Sequence, residues 1–185
     1  MESTTQIYLE ITTENGKLLG EAMAGGYENR IDIDGFNLSI GSGTKGSVKD
    51  VKSKSAVGTL DFDRISIDKV FDRSSLLLAG MLSRHEKFTE AKIAVDQQFV
   101  QGDDEDKIRN EVLIIHLYSG YVADIKFRTS EGTKGASIKE TVELSFHQFD
   151  VDYWGYKVDR TTGDLGDDYR LKYMGFKSKP NEQQG

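Results

Sequence analysis

The chain lacks cysteine altogether. This absence excludes disulfide bonds, thiolate nucleophiles and zinc sites built from cysteine. It fits a protein that is made in a reducing cytoplasm or exported without needing oxidation. The single proline, Pro180, lies close to the end of the sequence, so no proline interrupts a strand earlier in the chain. The most apolar stretch, residues 76–82, is far too short to span a bilayer.

Basic residues are scarce relative to acidic ones. The 24 lysines and arginines face 31 aspartates and glutamates, which gives a net charge of −7 and a pI of about 5.0. A nucleic-acid-binding protein needs clustered basic residues to displace counterions from phosphates, so the charge argues against that class. The first residues are polar and include Glu2, where a signal peptide would need a basic start and an apolar run. We therefore expect any export to proceed without a classical signal peptide.

Alternation of apolar and polar residues dominates the sequence, and this is the pattern of half-buried β-strands. Ile31 and Ile33 fall on odd positions, but after Gly35 the apolar residues shift to even positions, as they do at a β-bulge. A second shift follows Phe62. Because bent, bulged strands are what a small closed barrel needs, we predict a mainly β fold: a closed β-barrel of two packed sheets. Further strands are predicted at residues 7–11, 88–99, 111–117, 121–129, 141–156 and 169–176.

One segment breaks the alternation and predicts a single helix flanking the barrel, at residues 74–86. Asp72 or Ser74 is expected to cap its first amide groups. Leu78, Leu82 and His85 share one stripe of this helix, which indicates an apolar face directed toward the core.

Several loops resemble binding sites only superficially. Residues 41–47 have the glycine spacing of a phosphate-binding loop, but Ser47 stands where the lysine should be. The acidic run 103–106 has consecutive carboxylates rather than the alternating ligands of a calcium loop. Asp32 and Asp34 alternate with isoleucines, so they are expected on the outward face of a strand. We expect solvated carboxylates in both places.

Catalytic groupings are also missing from the sequence. The three histidines, His85, His116 and His147, are far apart, and His116 is expected to be a half-buried residue with a satisfied ring. No G-x-S-x-G nucleophile elbow is present. We therefore predict no catalytic residue, no cofactor-binding residue and no metal ligand, and hence a protein that is not an enzyme.

Three blocks of sequence, taken in order, resemble the Hcp family, the tube protein of the bacterial type VI secretion system. The first is IYLEI followed by Gly20-Glu21 and YENRIDIDGF; the second is ISIDKVFDRSSLLLAGMLSRHEKFTEAKI; the third is ETVELSFHQFDVDY. The resemblance covers roughly residues 5 to 157. Ser75 departs from it, because the family often has proline after the helix-starting serine.

The resemblance implies a β-barrel with one helix and a long extended loop, six copies in a ring, and rings that stack into a hollow tube. The tube is built in the bacterial cytoplasm inside a contractile sheath, carries a spike, and is expelled from the cell. Small effectors can travel in its lumen. The partners implied are further copies of the chain, the sheath, the spike and effectors, with no nucleic acid and no membrane insertion.

The long polar segment 42–58 resembles the loop by which the family reaches the adjacent ring. We hypothesise that a basic loop meets an acidic surface of the neighbouring ring, where exposed charges would set register more than affinity. The loop residues are Gly43, Lys45, Lys49, Lys52 and Lys54, and the candidate acidic partners are Asp103, Asp104, Glu105 and Asp106.

The predicted organisation is a barrel domain at residues 1–157 and a C-terminal extension at 158–185, partly ordered and ending in a flexible tail. Two other functions compete with a tube subunit. One is a monomeric β-barrel that binds a ligand. The other is a hydrolase that uses two carboxylates at a defined separation, one with a shifted pKa, although no such pair is evident in the sequence.

Overall fold

The structure, a computed structural model, describes residues 3–43, 59–62, 64–101, 106–132, 135–158 and 165–177. The prediction of a mainly β fold with one helix is confirmed within these residues. In chain order the elements are β1 Ser3–Thr13, β2 Gly16–Lys17, β3 Ile31–Ile33, β4 Gly35–Leu38, β5 Gly41–Gly43, β6 Thr59–Asp61, β7 Arg64–Val70, α1 Arg73–Arg84, β8 Lys87–Gln101, β9 Asp106–Gly132, β10 Gly135–Val158 and β11 Leu165–Lys177.

Nine strands form one antiparallel sheet in the order β2-β1-β8-β9-β10-β7-β4, with β3 paired to β1 and β11 paired to β10. Strands β5 and β6 form a separate two-stranded sheet. The closed barrel of two packed sheets is not confirmed, because the path of paired strands ends at β2 and β4. Residues 31–38 nevertheless contact strands near both ends of the path, since β3 pairs with β1 and β4 pairs with β7.

The alternation of the sequence explains which side chains fill the core. Ile31 and Ile33 are buried while Asp32 between them is exposed, as predicted. The phase change occurs at Asp34, the residue between the end of β3 at Ile33 and the start of β4 at Gly35. The second predicted shift falls at residue 63, outside the described residues. Inward positions of β1, β7, β8, β9 and β10 supply most of one apolar core.

Strand β9 is continuous where the sequence predicted two strands. Its backbone leaves the extended conformation at Ser119, which has a φ of 52° and precedes Gly120. A Cβ on Gly120 would lie 2.1 Å from the carbonyl oxygen of Ser145 and 2.3 Å from Cζ of Phe88. A side chain cannot fit there, so glycine lets β9 pass close to β10 and to the Phe88 ring without breaking the ladder.

Helix α1 begins one residue earlier and ends two residues earlier than predicted. Asp72 is its N-cap, as expected, and His85 adopts a left-handed conformation (φ 50°) just after the last turn. The buried face includes Leu78 and Met81. His85 is exposed, so its predicted place on the core-facing stripe is wrong. No helix in the part of the chain that the structure describes has the length and apolarity needed to cross a membrane.

The C-terminal extension contributes a strand to the main sheet. Strand β11 pairs with β10 from Asp150 to Val158. Residues 165–177 are therefore joined to the main sheet by backbone hydrogen bonds. The division into a barrel domain at 1–157 and an extension at 158–185 stays a prediction.

Candidate functional site

A buried ionic cluster joins β7, β10 and the start of α1. Lys69 and Glu140 are both 0% exposed, and Lys69 Nζ donates to Glu140 Oε1 at 2.8 Å. The same amine donates to Asp72 Oδ1 at 2.7 Å and to the carbonyl oxygen of Val70 at 2.8 Å. Ser75 Oγ donates to Glu140 Oε1 at 2.8 Å. We call Lys69, Asp72, Ser75 and Glu140 the buried ionic cluster.

The register of the sheet brings these charges together. Lys69 follows Ile65 and Ile67 on the inward face of β7, and its Cα partner on β10 is Glu140. Removing a charge from water is costly unless it is paired and hydrogen-bonded, so neither residue can be buried without the other. Glu140 Oε2 has no hydrogen-bond partner in the described structure.

Asp72 links the cluster to the helix. Its side chain accepts a hydrogen bond from the Ser75 amide, and the Asp72 amide donates to Ser75 Oγ, which completes a capping box. Burial raises the pKa of Asp72, but hydrogen bonds from Lys69 and Ser74 outweigh it and hold the pKa below its usual value. Asp72 is therefore an ionised N-cap, which also suits the positive end of the helix dipole.

The geometry of the buried ionic cluster suits a structural role, in which it holds β7, β10 and α1 together, rather than a catalytic one. Four acceptors lie within 3.1 Å of Lys69 Nζ, which has only three N–H groups, so the amine is fully engaged as a donor. Ser75 donates to a carboxylate that already accepts from Lys69. No free amine or activated hydroxyl remains in this cluster for chemistry on a substrate.

Beside the cluster lies a group of exposed apolar side chains, which we call the apolar end: Phe71, Phe127 and Ile138. They are 38%, 55% and 49% exposed, respectively. The rings of Phe71 and Phe127 are 5.9 Å apart, and the Phe71 amide donates to the carbonyl oxygen of Ile138 at 2.9 Å. Phe127 is the Cα partner of Glu140, so this group lies where the inward face of the sheet leaves the core.

A groove of about 470 Å³ separates the β1–β2 turn from α1. Leu18, Leu19, Leu77 and Met81 supply apolar lining, and Arg73 is one of its basic residues. The guanidinium of Arg73 donates to the carbonyl oxygen of Gly20. The groove has the size of a small-molecule site but is open to solvent along the helix.

The sequence-predicted stacking residues fall mostly outside the described residues. Gly43 ends β5 and pairs with Thr59, and Asp106 begins β9 and pairs with Gln101. Lys45, Lys49, Lys52 and Lys54 lie outside the described residues, as do Asp103, Asp104 and Glu105. The predicted contact between the loop and the acidic run therefore stays a prediction.

The described residues contain no group of three or more histidine, aspartate or glutamate side chains that could hold a metal ion. His116 is partly buried, and its Nδ1 lies 2.6 Å from Glu90 Oε1, which agrees with the expected satisfied ring. The hydrogen-bond partner fixes the ring orientation on the outward face of the sheet.

Sequence reasoning missed the buried ionic cluster as a site, although the signal was present. Lys69 continues the inward series of Ile65 and Ile67, and Glu140 precedes Val142 in the inward series of β10. Each residue ends an apolar–polar alternation on its strand, and the two charges are opposite. On strands that pair, this pattern indicates a buried ion pair, but the sequence alone does not show that β7 pairs with β10.

Comparisons with known proteins agree with this architecture. A family model described as "Type VI secretion system effector, Hcp" matches residues 8–153. A solved structure titled "Structure of a type six secretion system protein" is 15% identical, with a TM-score of 0.68 and 93% of each chain covered. Hcp1 from Salmonella typhimurium is 21% identical, with a TM-score of 0.58, and the match covers 80% of this chain and 86% of that one.

A third solved structure, the secreted protein Hcp3 from Pseudomonas aeruginosa, is 19% identical, with a TM-score of 0.56, and the match covers 91% of this chain and 100% of that one. At these identities the likeness to solved structures shows the fold. The comparison with curated proteins finds no match.

Proposed function

Because the chain belongs to the Hcp family of type VI secretion system proteins, we propose that it is a structural tube subunit. Six copies close into a ring, and rings stack into a hollow tube that is built in the bacterial cytoplasm and expelled from the cell. The tube is surrounded by a contractile sheath, carries a spike protein and takes small effectors in its lumen. Its export needs no classical signal peptide.

The apolar end is the structural observation that best supports self-assembly. Phe71, Phe127 and Ile138 form one contiguous exposed group on a chain whose charged residues make up 30% of the sequence. Clustered exposed apolar side chains mark interaction surfaces in soluble proteins. A ring or tube subunit needs such surfaces, whereas a monomer of this size gains nothing from them.

Two finer features complete the proposal. The barrel closes across residues 31–38, whose two strands pair with β1 and β7, and this closure makes a rigid subunit. Stacking is assisted by the basic loop, in which Lys45, Lys49, Lys52 and Lys54 meet the acidic run of the adjacent ring. Exposed pairs of this kind contribute about 0–1 kcal/mol each. The subunit performs no catalysis, since its work is assembly.

Particle size tests the proposal. Light scattering after gel filtration should give rings of six copies of the 20.7 kDa chain, and negative-stain microscopy should show annular particles. Reversing the four loop lysines to glutamate should weaken stacking and leave single rings intact, while the charge-preserving change of all four to arginine should alter neither. A strictly monomeric protein over a wide concentration range would overturn the ring, and unchanged stacking after reversal would overturn the charge pairing.

The groove beside α1 favours one alternative, a monomeric β-barrel that binds a ligand. Its volume of about 470 Å³ and its apolar lining are of the kind that holds small molecules. The same particle-size measurement separates the two functions, because a ligand-binding monomer does not need to form rings.

A further inference from the structure

The groove of about 470 Å³ between the β1–β2 turn and α1 has two apolar walls. Leu18 and Leu19 line one wall, and Leu77 and Met81 of α1 line the other. Leu19 is 49% exposed and Leu77 is 41% exposed. An apolar group placed between these two leucines would remove both from water, which is favourable in proportion to the apolar area buried. The groove therefore favours a ligand with an apolar part.

The wall opposite α1 is held in place by backbone hydrogen bonds. The Gly20 amide donates to the carbonyl oxygen of Asn29 at 2.7 Å, and the Ala22 amide donates to that of Arg30 at 3.0 Å. A Cβ on Gly20 would lie 2.1 Å from the Arg30 carbonyl oxygen, so this segment packs too closely for a side chain there. Because contacts within the chain fix the wall, a ligand would pay little to order it.

Arg73 gives the groove a cation that is available to a ligand. It is the first residue of α1 and shares a helix face with Leu77 and Met81, which follow at intervals of four residues. Its guanidinium donates to the carbonyl oxygen of Gly20 and forms no ion pair with any residue that the structure describes. Glu21 Oε1 accepts from the Arg73 backbone amide at 3.1 Å, not from the guanidinium. Since a guanidinium has five N–H groups, most of them remain available to an anion.

The other charges that line the groove are already paired within the chain. Lys17 binds Glu10 at 2.8 Å, and Arg84 binds Glu86 at 2.8 Å. The unpaired charge among the described lining residues is therefore the single positive charge of Arg73. One guanidinium suits a ligand with one negative charge, whereas a dianion such as a phosphate monoester would need a second free cation.

We propose that this groove binds a small amphipathic acid, an apolar chain or ring that carries one carboxylate. The apolar part lies between Leu19 and Leu77, and the carboxylate accepts two hydrogen bonds from the planar guanidinium of Arg73. From Arg73 to Met81 the helix rises roughly 12 Å, which is room for a saturated acid of medium length. This inference goes beyond the proposed tube function and does not require it, because every residue that carries it lies within one subunit.

Calorimetric titration of the full chain with octanoate at neutral pH tests the carboxylate site. Octanoate should bind saturably at one site per chain, and the neutral analogue 1-octanol should bind at least about tenfold more weakly. Arg73→Gln should lower the octanoate affinity by at least about tenfold. The control is the double variant Arg84→Gln with Glu86→Gln, which removes a neutral pair from the same groove and should leave the affinity unchanged. No saturable binding of octanoate, or equal binding of 1-octanol, overturns the proposal, and so does an affinity that Arg73→Gln leaves unchanged.

A second pair of variants tests the apolar wall. Leu77→Ser should lower the octanoate affinity by at least about fivefold, because it removes apolar surface that the ligand covers. Leu76→Ser, at the adjacent leucine of α1 that is 68% exposed and does not line the groove, is the control and should not change it. If Leu77→Ser alters particle size and leaves octanoate binding unchanged, a second copy covers the groove and the proposal is overturned. The particle size of the wild type tests the tube function separately, so the two failures are distinguishable.

Discussion

Glu140 and Glu143 lie three residues apart on β10 and both bind lysine, yet they occupy opposite faces of the sheet. Glu140 points inward and binds Lys69 at 2.8 Å with neither side chain exposed. Glu143 points outward and binds Lys126 at 3.0 Å and Arg64 at 2.9 Å in contact with solvent. The chemical groups and distances are nearly the same, so the difference between the two sites is burial.

Burial changes what an ion pair does. On the outward face, water solvates both partners and salt screens their attraction, so the pair adds little. On the inward face, the pair also adds little net stability. Each partner, however, offsets the free-energy cost of burying the other charge in a low dielectric. The inward cluster therefore acts as a constraint: it fixes α1 against β7 and β10, directly beneath the apolar end.

The largest effect is expected from removing the buried amine. Lys69→Met leaves the carboxylates of Glu140 and Asp72 without their cation and should lower the free energy of unfolding by about 3–5 kcal/mol. Urea denaturation followed by circular dichroism measures this. Lys126→Met is the matched control on the outward face. Equal shifts in the two variants would contradict the importance of burial, and adding Glu140→Leu to Lys69→Met should restore part of the loss.

The strand pattern of this fold was predictable from sequence, whereas the buried ionic cluster was not. Alternation of Ile31, Asp32 and Ile33 needs only neighbouring residues to be read, and the Asp72 cap is equally local. Lys69 and Glu140 are 71 residues apart, so their burial depends on how β7 pairs with β10. In a single strand, a charged residue at the end of an apolar–polar alternation has two equally good interpretations. The strand can leave the core there, or the charge can be buried in an ion pair with another strand.

The irregularities of the strands were only partly predictable from the sequence. The phase change at Gly35 was visible in the sequence and coincides with the break between β3 and β4. The sequence predicted two strands, at residues 111–117 and 121–129, where the structure has the single strand β9. Gly120 lies close to the Phe88 ring, and this contact, which leaves no room for a side chain, has no local signature in the sequence. Whether the basic loop and acidic run meet depends on a second copy, which no single sequence pattern specifies.

An intermediate effect is expected at the edge of the buried cluster. Asp72→Asn keeps an N-cap but removes the charge that faces Lys69, and should cost about 1–2 kcal/mol at neutral pH. The pKa of Asp72 is raised by burial but lowered more by its hydrogen bonds from Lys69 and Ser74. Its folded pKa is thus below the unfolded value near 3.8, so its stabilisation is present above that value and is lost as the pH falls through the folded pKa.

The measurement for this variant is the free energy of unfolding from pH 7 down to pH 2.5. The wild type should lose its advantage over Asp72→Asn as the pH falls below about 4. Asp124→Asn, on the outward face, is the matched control. An advantage that stays constant down to pH 2.5 would mean that the charge of Asp72 contributes nothing.

The smallest effect is expected on the outward face. A hydrogen bond from Lys126, with a second from Arg64, lowers the pKa of Glu143, so any contribution of its charge is present at neutral pH and disappears in acid. Glu143→Gln should nevertheless move the urea midpoint no further than Glu14→Gln at an exposed site near the β1–β2 turn, because solvent screens the lost pair.

In 1 M salt the screening length falls to about 3 Å, so any difference in stability between Glu143→Gln and the wild type should vanish. The loss of stability in Lys69→Met should remain. If salt instead erased the Lys69→Met defect, the inward charges would have to be accessible to water and ions, and burial could not be what distinguishes the two glutamates.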